Sequence, residues 1–123
     1  MLKTKILYVD DEPINLMLMQ ANLEKKYNVL TADNGFSGLD ILSNDNDIKV
    51  VISDMKMPNI NGIEFINKAK KISPKAVYYV LSGFEITDEI QDAIDNSLIR
   101  KYLQKPFNMN EIAAEIETAL SEK

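Results

Sequence analysis

Lys5-Ile6-Leu7-Tyr8-Val9-Asp10-Asp11-Glu12-Pro13 is an apolar run that breaks into three consecutive carboxylates and then a proline. Its first five residues have the length and the β-branched and aromatic content of a buried strand. Pro13 suits the first position of a helix, where its missing N–H would have had no partner in any case. The same succession recurs along the chain. Strand candidates at Lys5 to Val9, Asn28 to Ala32, Lys49 to Ser53, Ala76 to Ser82 and Lys101 to Gln104 alternate with helical patterns over 13–26, 36–44, 62–72, 87–97 and 109–121. A (βα)₅ order predicts an α/β fold with a parallel sheet and helices on both faces. Thr87-Asp88-Glu89 offers a cap with an acidic first turn, and Asn108 with Glu111 three residues on has the spacing of a capping box. With no repeat, low-complexity tract or linker, residues 1–123 are expected to form one domain.

Composition removes several classes of function. Hydrophobic residues are 46% and charged residues 27%, the balance of a globular domain. A net charge of -5 makes the domain a poor electrostatic match for nucleic acid. The absence of Cys and His excludes disulfides, thiolate or imidazole metal sites, a Ser-His-Asp triad and a phosphohistidine carrier. No stretch approaches the ~20 apolar residues of a membrane span and none resembles a signal peptide, so the expected address is the cytoplasm. Met17 and Met19 on the first helix and Met55 and Met57 in a loop are read as packing groups.

In open parallel sheets, ligands gather at the carboxyl ends of the strands. Here those ends carry Asp10-Asp11-Glu12, Asp54, Ser82 and Lys105-Pro106. Each has an ordinary reading when taken alone: a helix cap, a turn aspartate, a stray hydroxyl, a solvated lysine. Helix-dipole stabilisation is worth only ~0.3–1 kcal/mol and does not account for further charges converging on one crevice. Clustered carboxylates repel one another and need a hard cation, for which Mg²⁺ with oxygen ligands is the natural candidate. A carboxylate beside that cation can attack phosphorus without a general base, while the Lys105 ammonium and Ser82 hydroxyl share the charge on the phosphoryl oxygens.

Val9-Asp10-Asp11-Glu12-Pro13, Ser53-Asp54-Met55-Lys56-Met57-Pro58 with Asn61-Gly62, Leu81-Ser82-Gly83 and Tyr102-Leu103-Gln104-Lys105-Pro106-Phe107 together resemble the receiver domains of two-component response regulators, over the whole chain. The resemblance implies a flavodoxin-like three-layer sandwich with strand order 2-1-3-4-5. It implies that Asp54 accepts a phosphoryl group from a histidine kinase or histidine phosphotransferase. Asp10, Asp11, Asp54 and the Lys56 backbone carbonyl would hold Mg²⁺, with Mn²⁺ able to substitute. Ser82 would be the switch hydroxyl, Lys105 the phosphate-contacting lysine and Tyr102 the aromatic switch, which has core packing as its alternative. The Lys105–Pro106 bond is expected to be cis. Such a module is not an enzyme beyond its own phosphorylation and dephosphorylation.

Three other readings stay open: a flavodoxin-like FMN-binding module, a metal-dependent phosphohydrolase, and a pseudo-receiver that only binds partners. Asp10-Asp11-Glu12 repels an FMN phosphate, and Lys56 stands where a phosphohydrolase would need a second acid. Lys56 and Phe84 are expected to flank the route of an attacking water and prolong the phosphorylated state. The face built by helix 4, strand 5 and helix 5 carries Glu89, Asp92, Asp95, Glu111 and Glu115 with Arg100 and Lys101, and is expected to dock a downstream protein. Leu16, Met17, Leu18 and Met19 occupy successive helical positions, which at ~100° per residue cannot all face one core. Leu16, Met19 and Leu23 form the natural buried stripe. Leu18, with Ile14 and Asn15, is expected to face the phosphodonor protein. The chain either stands alone or is one part of a longer regulator or hybrid kinase.

Overall fold

The computed structural model describes residues 3–83, 86–105 and 108–121. Strands β1 (Thr4–Val9), β2 (Tyr27–Ala32), β3 (Ile48–Asp54), β4 (Val77–Ser82) and β5 (Lys101–Gln104) alternate with helices α1 (Pro13–Leu23), α2 (Gly35–Asn44), α3 (Gly62–Ile72), α4 (Asp88–Asp95) and α5 (Met109–Ser121). All four strand pairings are parallel, and the order is β2-β1-β3-β4-β5, as the sequence led one to expect.

Alternation along each strand sorts side chains into two apolar layers. Leu7 and Val9 of β1, Val51 of β3 and Tyr78 and Val80 of β4 meet Leu42 of α2, Phe65, Ile66 and Ala69 of α3 and Ile90 and Ala93 of α4. Their strand neighbours Ile6, Tyr8, Val50, Ile52, Tyr79 and Leu81 meet Met19 and Leu23 of α1 and Ile112, Ile116 and Ala119 of α5. Burial on both faces is why the central strands read as unbroken apolar runs. Leaving β1, the chain runs to β2 on one side and then returns to β3 on the other. The loops that follow β1 and β3 therefore diverge, and a crevice opens between them.

Local chemistry sets the helix boundaries. Pro13 opens α1, as expected. Thr87 caps α4 by accepting from Ile90 N, and Asn108 Oδ1 accepts from Glu111 N at 3.1 Å. Two caps went unread in the sequence: Asn34 before α2, and a full capping box between Asn61 and Glu64 before α3. Helix α1 ends at Leu23, short of the expected 26. Lys26 N turns back to Leu23 O, and the turn delivers Tyr27 into β2, where only 3% of it is exposed. Helix α4 stops at Asp95 because Ser97 adopts φ 60, which lets both Leu98 N and Ile99 N close on Ala93 O. Met17 does not pack as expected. It lies three residues from Ile14, off the Met19–Leu23 stripe, and is 66% exposed. Met55 and Met57 do pack against the core.

Gly62 ties the fold to the crevice. A Cβ there would sit 2.4 Å from the Asp54 carbonyl oxygen and 3.0 Å from Met55 Cα, both backbone atoms that cannot move aside. Gly62→Ala should cost about 1–3 kcal/mol in urea unfolding, the usual toll of overpacking. Gly83→Ala, whose Cβ would meet nothing nearer than 3.9 Å, should stay within about 0.5 kcal/mol of the parent protein.

Candidate functional site

The crevice is a cleft of about 610 Å³ whose lining includes Asp11, Asp54, Lys56, Ser82 and Lys105. Three strand ends and the loop after β1 supply it. Asp10 continues β1 by donating its N–H to Ala32 O at 3.1 Å, and its side chain is wholly buried. Its Oδ1 accepts from Glu12 N at 2.9 Å, while Oδ2 accepts from the Tyr8 hydroxyl at 2.5 Å and from Asn15 Nδ2 at 3.0 Å. Asp54 closes β3, 5% exposed, next to Met55, whose N–H donates to Leu81 O of β4. Lys105 follows β5 and is fixed by its own N–H on Ser82 O at 2.9 Å. From there its ammonium pairs with Asp54 Oδ1 at 2.9 Å and lies 3.6 Å from Asp10 Oδ2.

One carboxylate oxygen from each of Asp10, Asp11 and Asp54 lies within 4.8 Å of the other two. Asp10, Asp11 and Asp54 against the Lys105 ammonium leave two negative charges in a partly buried cleft, and the other two charged groups of its lining, Glu12 and Lys56, cancel. Burial pushes the Asp54 carboxyl above its usual range; the Lys105 ammonium opposes this, and Asp10 and Asp11 add to it. For Lys105, burial alone would depress the ammonium, but the hydrogen bond to Asp54 and the charges of Asp54 and Asp10 prevail and raise it. Burial, followed by the bond to Asp10, drives the Tyr8 phenol well above its usual range, so it remains a donor. An all-oxygen donor set with uncompensated negative charge fits a small hard divalent cation such as Mg²⁺.

Most of the residues expected at the site meet there. Ser82 is buried at the end of β4 and lines the cleft, as does exposed Lys56. Tyr102 is half-buried on β5, packed against the layer that holds α2, α3 and α4. Ile14 and Leu18 stand 67% and 46% exposed. Asn15 is different: its amide is spent on Asp10, so its side chain serves the cleft. Pro106 and Phe84 lie outside the described residues, and with them the expected cis bond and half of the expected water shield. Tyr8, Asn15 and Ser53, whose buried hydroxyl donates to Asp54 O at 2.9 Å, were not read as site residues. For Tyr8 a signal existed, since residues two apart on a strand share a face.

The sequence matches the profile of the response regulator receiver domain over residues 6–117. The chain belongs to that family. Receivers accept phosphoryl groups from histidine kinases or phosphotransferases and bind Mg²⁺ at an aspartate cluster. Sporulation initiation phosphotransferase F of Bacillus subtilis is 30% identical, over 91% of this chain and 90% of that protein. The crystal structure of a receiver domain protein from Clostridium thermocellum superposes with a TM-score of 0.89 at 34% identity, covering 96% of this chain and 94% of that one. The response regulator TrrA of Thermotoga maritima, solved in complex with Mg²⁺ and BeF, gives 0.81 at 28% identity, covering 94% and 98%. Against two transcriptional regulators and a cyclic di-GMP phosphodiesterase, the receiver spans between 20% and 30% of their length.

The raised Asp54 carboxyl carries a sign for stability. The folded chain binds this proton more tightly than the unfolded chain, so Asp54 favours folding in acid. That contribution is lost as pH rises through the folded value. Without divalent cations, Asp54→Asn should therefore melt higher than the parent at neutral pH, with the gain shrinking toward pH ~4. Thermal unfolding in chelator at the two pH values measures it.

Proposed function

We propose that Asp54 is the phosphoacceptor of this receiver, and the observation that carries the reading is its position. It is a buried carboxylate at a strand end, 2.9 Å from a lysine ammonium and flanked by Asp10 and Asp11. Asp10, Asp11, Asp54 and the Lys56 carbonyl would hold Mg²⁺, whose charge offsets that of the incoming phosphoryl oxygens; Mn²⁺ would serve in its place. An Asp54 oxygen attacks phosphorus, the bond from phosphorus to the donor nitrogen breaks, and an acyl phosphate remains on Asp54. Lys105 exchanges its contact with Asp54 Oδ1 for a phosphoryl oxygen, and the Ser82 hydroxyl takes another. Movement at Ser82 frees space that Tyr102 fills, which alters the face of α4, β5 and α5.

That face carries exposed Asp95 and Glu111, and Lys101 pairs with Glu115 at 2.9 Å. Glu89 and Asp92, expected there, turn instead toward α3, where Glu89 accepts from Asn61 Nδ2 at 3.4 Å. Its chemistry suits a protein partner and not nucleic acid. Beyond its own phosphorylation and dephosphorylation the domain turns over no substrate. Among the described residues no helix is long and apolar enough to cross a membrane. We place the domain in the cytoplasm, where a kinase would meet it.

The outer side of α1 is the docking surface for the phosphodonor protein. Ile14, Met17 and Leu18 recur at helical spacing and are all exposed, on the helix that begins beside Asp10 and Asp11.

Acetyl phosphate with Mg²⁺ should add one phosphoryl group by intact mass, and Asp54→Asn should remain unlabelled. Full labelling of Asp54→Asn would sink the assignment; no labelling of the parent protein would favour a pseudo-receiver. Leu18→Ala should keep its rate with acetyl phosphate but accept phosphate more slowly from a phosphorylated histidine phosphotransferase. Equal slowing with both donors would assign Leu18 to the fold.

A further inference from the structure

The two oxygens of buried Asp10 are not equivalent. Oδ1 accepts one N–H, from Glu12, whereas Oδ2 accepts both the Tyr8 hydroxyl and the Asn15 amide. A carboxylate oxygen offers two lone-pair sites, so among the described residues Oδ2 is filled and Oδ1 keeps one site open. Tyr8 is itself 0% exposed, its ring packed in the layer formed with α1 and α5. A hydroxyl on a ring wedged in a close-packed core is held in place without further ordering cost.

We propose that Tyr8 is a positioning residue for the metal site. Its phenol, with the Asn15 amide, pins Asp10 through Oδ2 and leaves Oδ1 as the oxygen turned to a divalent cation. The inference rests on the reading of Asp10 as a Mg²⁺ ligand. The pin has a second effect on Lys105. With Oδ2 already satisfied by two donors, the ammonium settles at 2.9 Å from Asp54 and at 3.6 Å from Asp10. Without the pin, Asp10 is free to rotate onto that ammonium, and the cation loses a ligand.

Hydrogen bonds behind a metal ligand are typically worth about 10–100-fold in metal affinity. The test is a calorimetric titration of Mg²⁺ into the full chain, the parent against Tyr8→Phe, with folding checked by thermal melting. Tyr8→Phe keeps the ring and should bind Mg²⁺ about 10-fold more weakly. Mg²⁺ should also perturb the near-ultraviolet tyrosine absorbance of the parent protein, and Tyr8→Phe should lose that difference signal. An unchanged Mg²⁺ affinity in folded Tyr8→Phe overturns the proposal, whatever happens to stability, because it leaves Tyr8 a core residue only. Should Tyr8→Phe fail to fold, Asn15→Ala removes the other donor on the same oxygen. Weakened Mg²⁺ binding there supports the pin and unchanged binding overturns it. If the parent itself binds no Mg²⁺, the ligand reading of Asp10 falls and takes the proposal with it. A parent that binds, beside a variant that binds equally well, removes Tyr8 alone.

Discussion

Mutual repulsion among three carboxylates is the constraint that organises this molecule. Two like charges ~4 Å apart near a protein surface cost ~4 kcal/mol, and Asp10, Asp11 and Asp54 meet within 4.8 Å. The surroundings reduce that cost with donors in fixed places. Tyr8, Glu12 N and Asn15 bond Asp10, and Lys105 reaches Asp54 from the far side of the cleft. Lys105 arrives there only because β5 pairs with β4 in register, Ser82 opposite Gln104, with the next N–H closing on Ser82 O. The order of the sheet is thus tied to the charge balance at its edge. A bound divalent cation would complete what the lysine begins.

The loop after β3 shows how closely the backbone is built around that edge. Met55 N pairs with Leu81 O, Gly62 N with Met55 O at 2.8 Å, and α3 starts directly beneath the Asp54 carbonyl. No side chain fits at Gly62. The capping box of Asn61 and Glu64 then fixes the angle at which α3 leaves. A short, rigid return of this kind keeps the Asp54 carboxylate in one orientation while the cleft above it stays open.

The sheet and the site were legible for different reasons. Strands buried on both faces read as apolar runs, and their chain order alone places Asp10, Asp54, Ser82 and Lys105 at one edge. What escaped were features set by tertiary geometry. Lys25 and Lys26 suit a helix, yet the burial of Tyr27 ends α1 before them. Met17 looks like a packing residue by type, but its position on the wheel turns it outward. Tyr8 reads as core, which it is, and only its place two residues before Asp10 on one strand face points to where the hydroxyl ends. Asn15 was placed on the outer surface by spacing alone, although its amide lies within reach of Asp10. Which carboxylate Lys105 prefers depends on how many donors the other already has, and no motif records that.

Tyr78 and Tyr79 are consecutive on β4, so their rings leave opposite faces of the sheet. Tyr78 donates to Ser73 O at the end of α3, and Tyr79 donates to Glu115 O of α5 at 3.2 Å. Each phenol fastens one helical layer to the same strand, near the end away from Ser82. Strand β4 is in effect riveted to both helical layers at its base, while its tip is held by backbone bonds to its neighbours, Met55 N on Leu81 O and Lys105 N on Ser82 O. A pull on Ser82 cannot slide the strand as a piston. In the function proposed above, the two phenols would resist sliding of β4 along its axis, so the anchoring of the strand would direct a displacement at Ser82 toward α4.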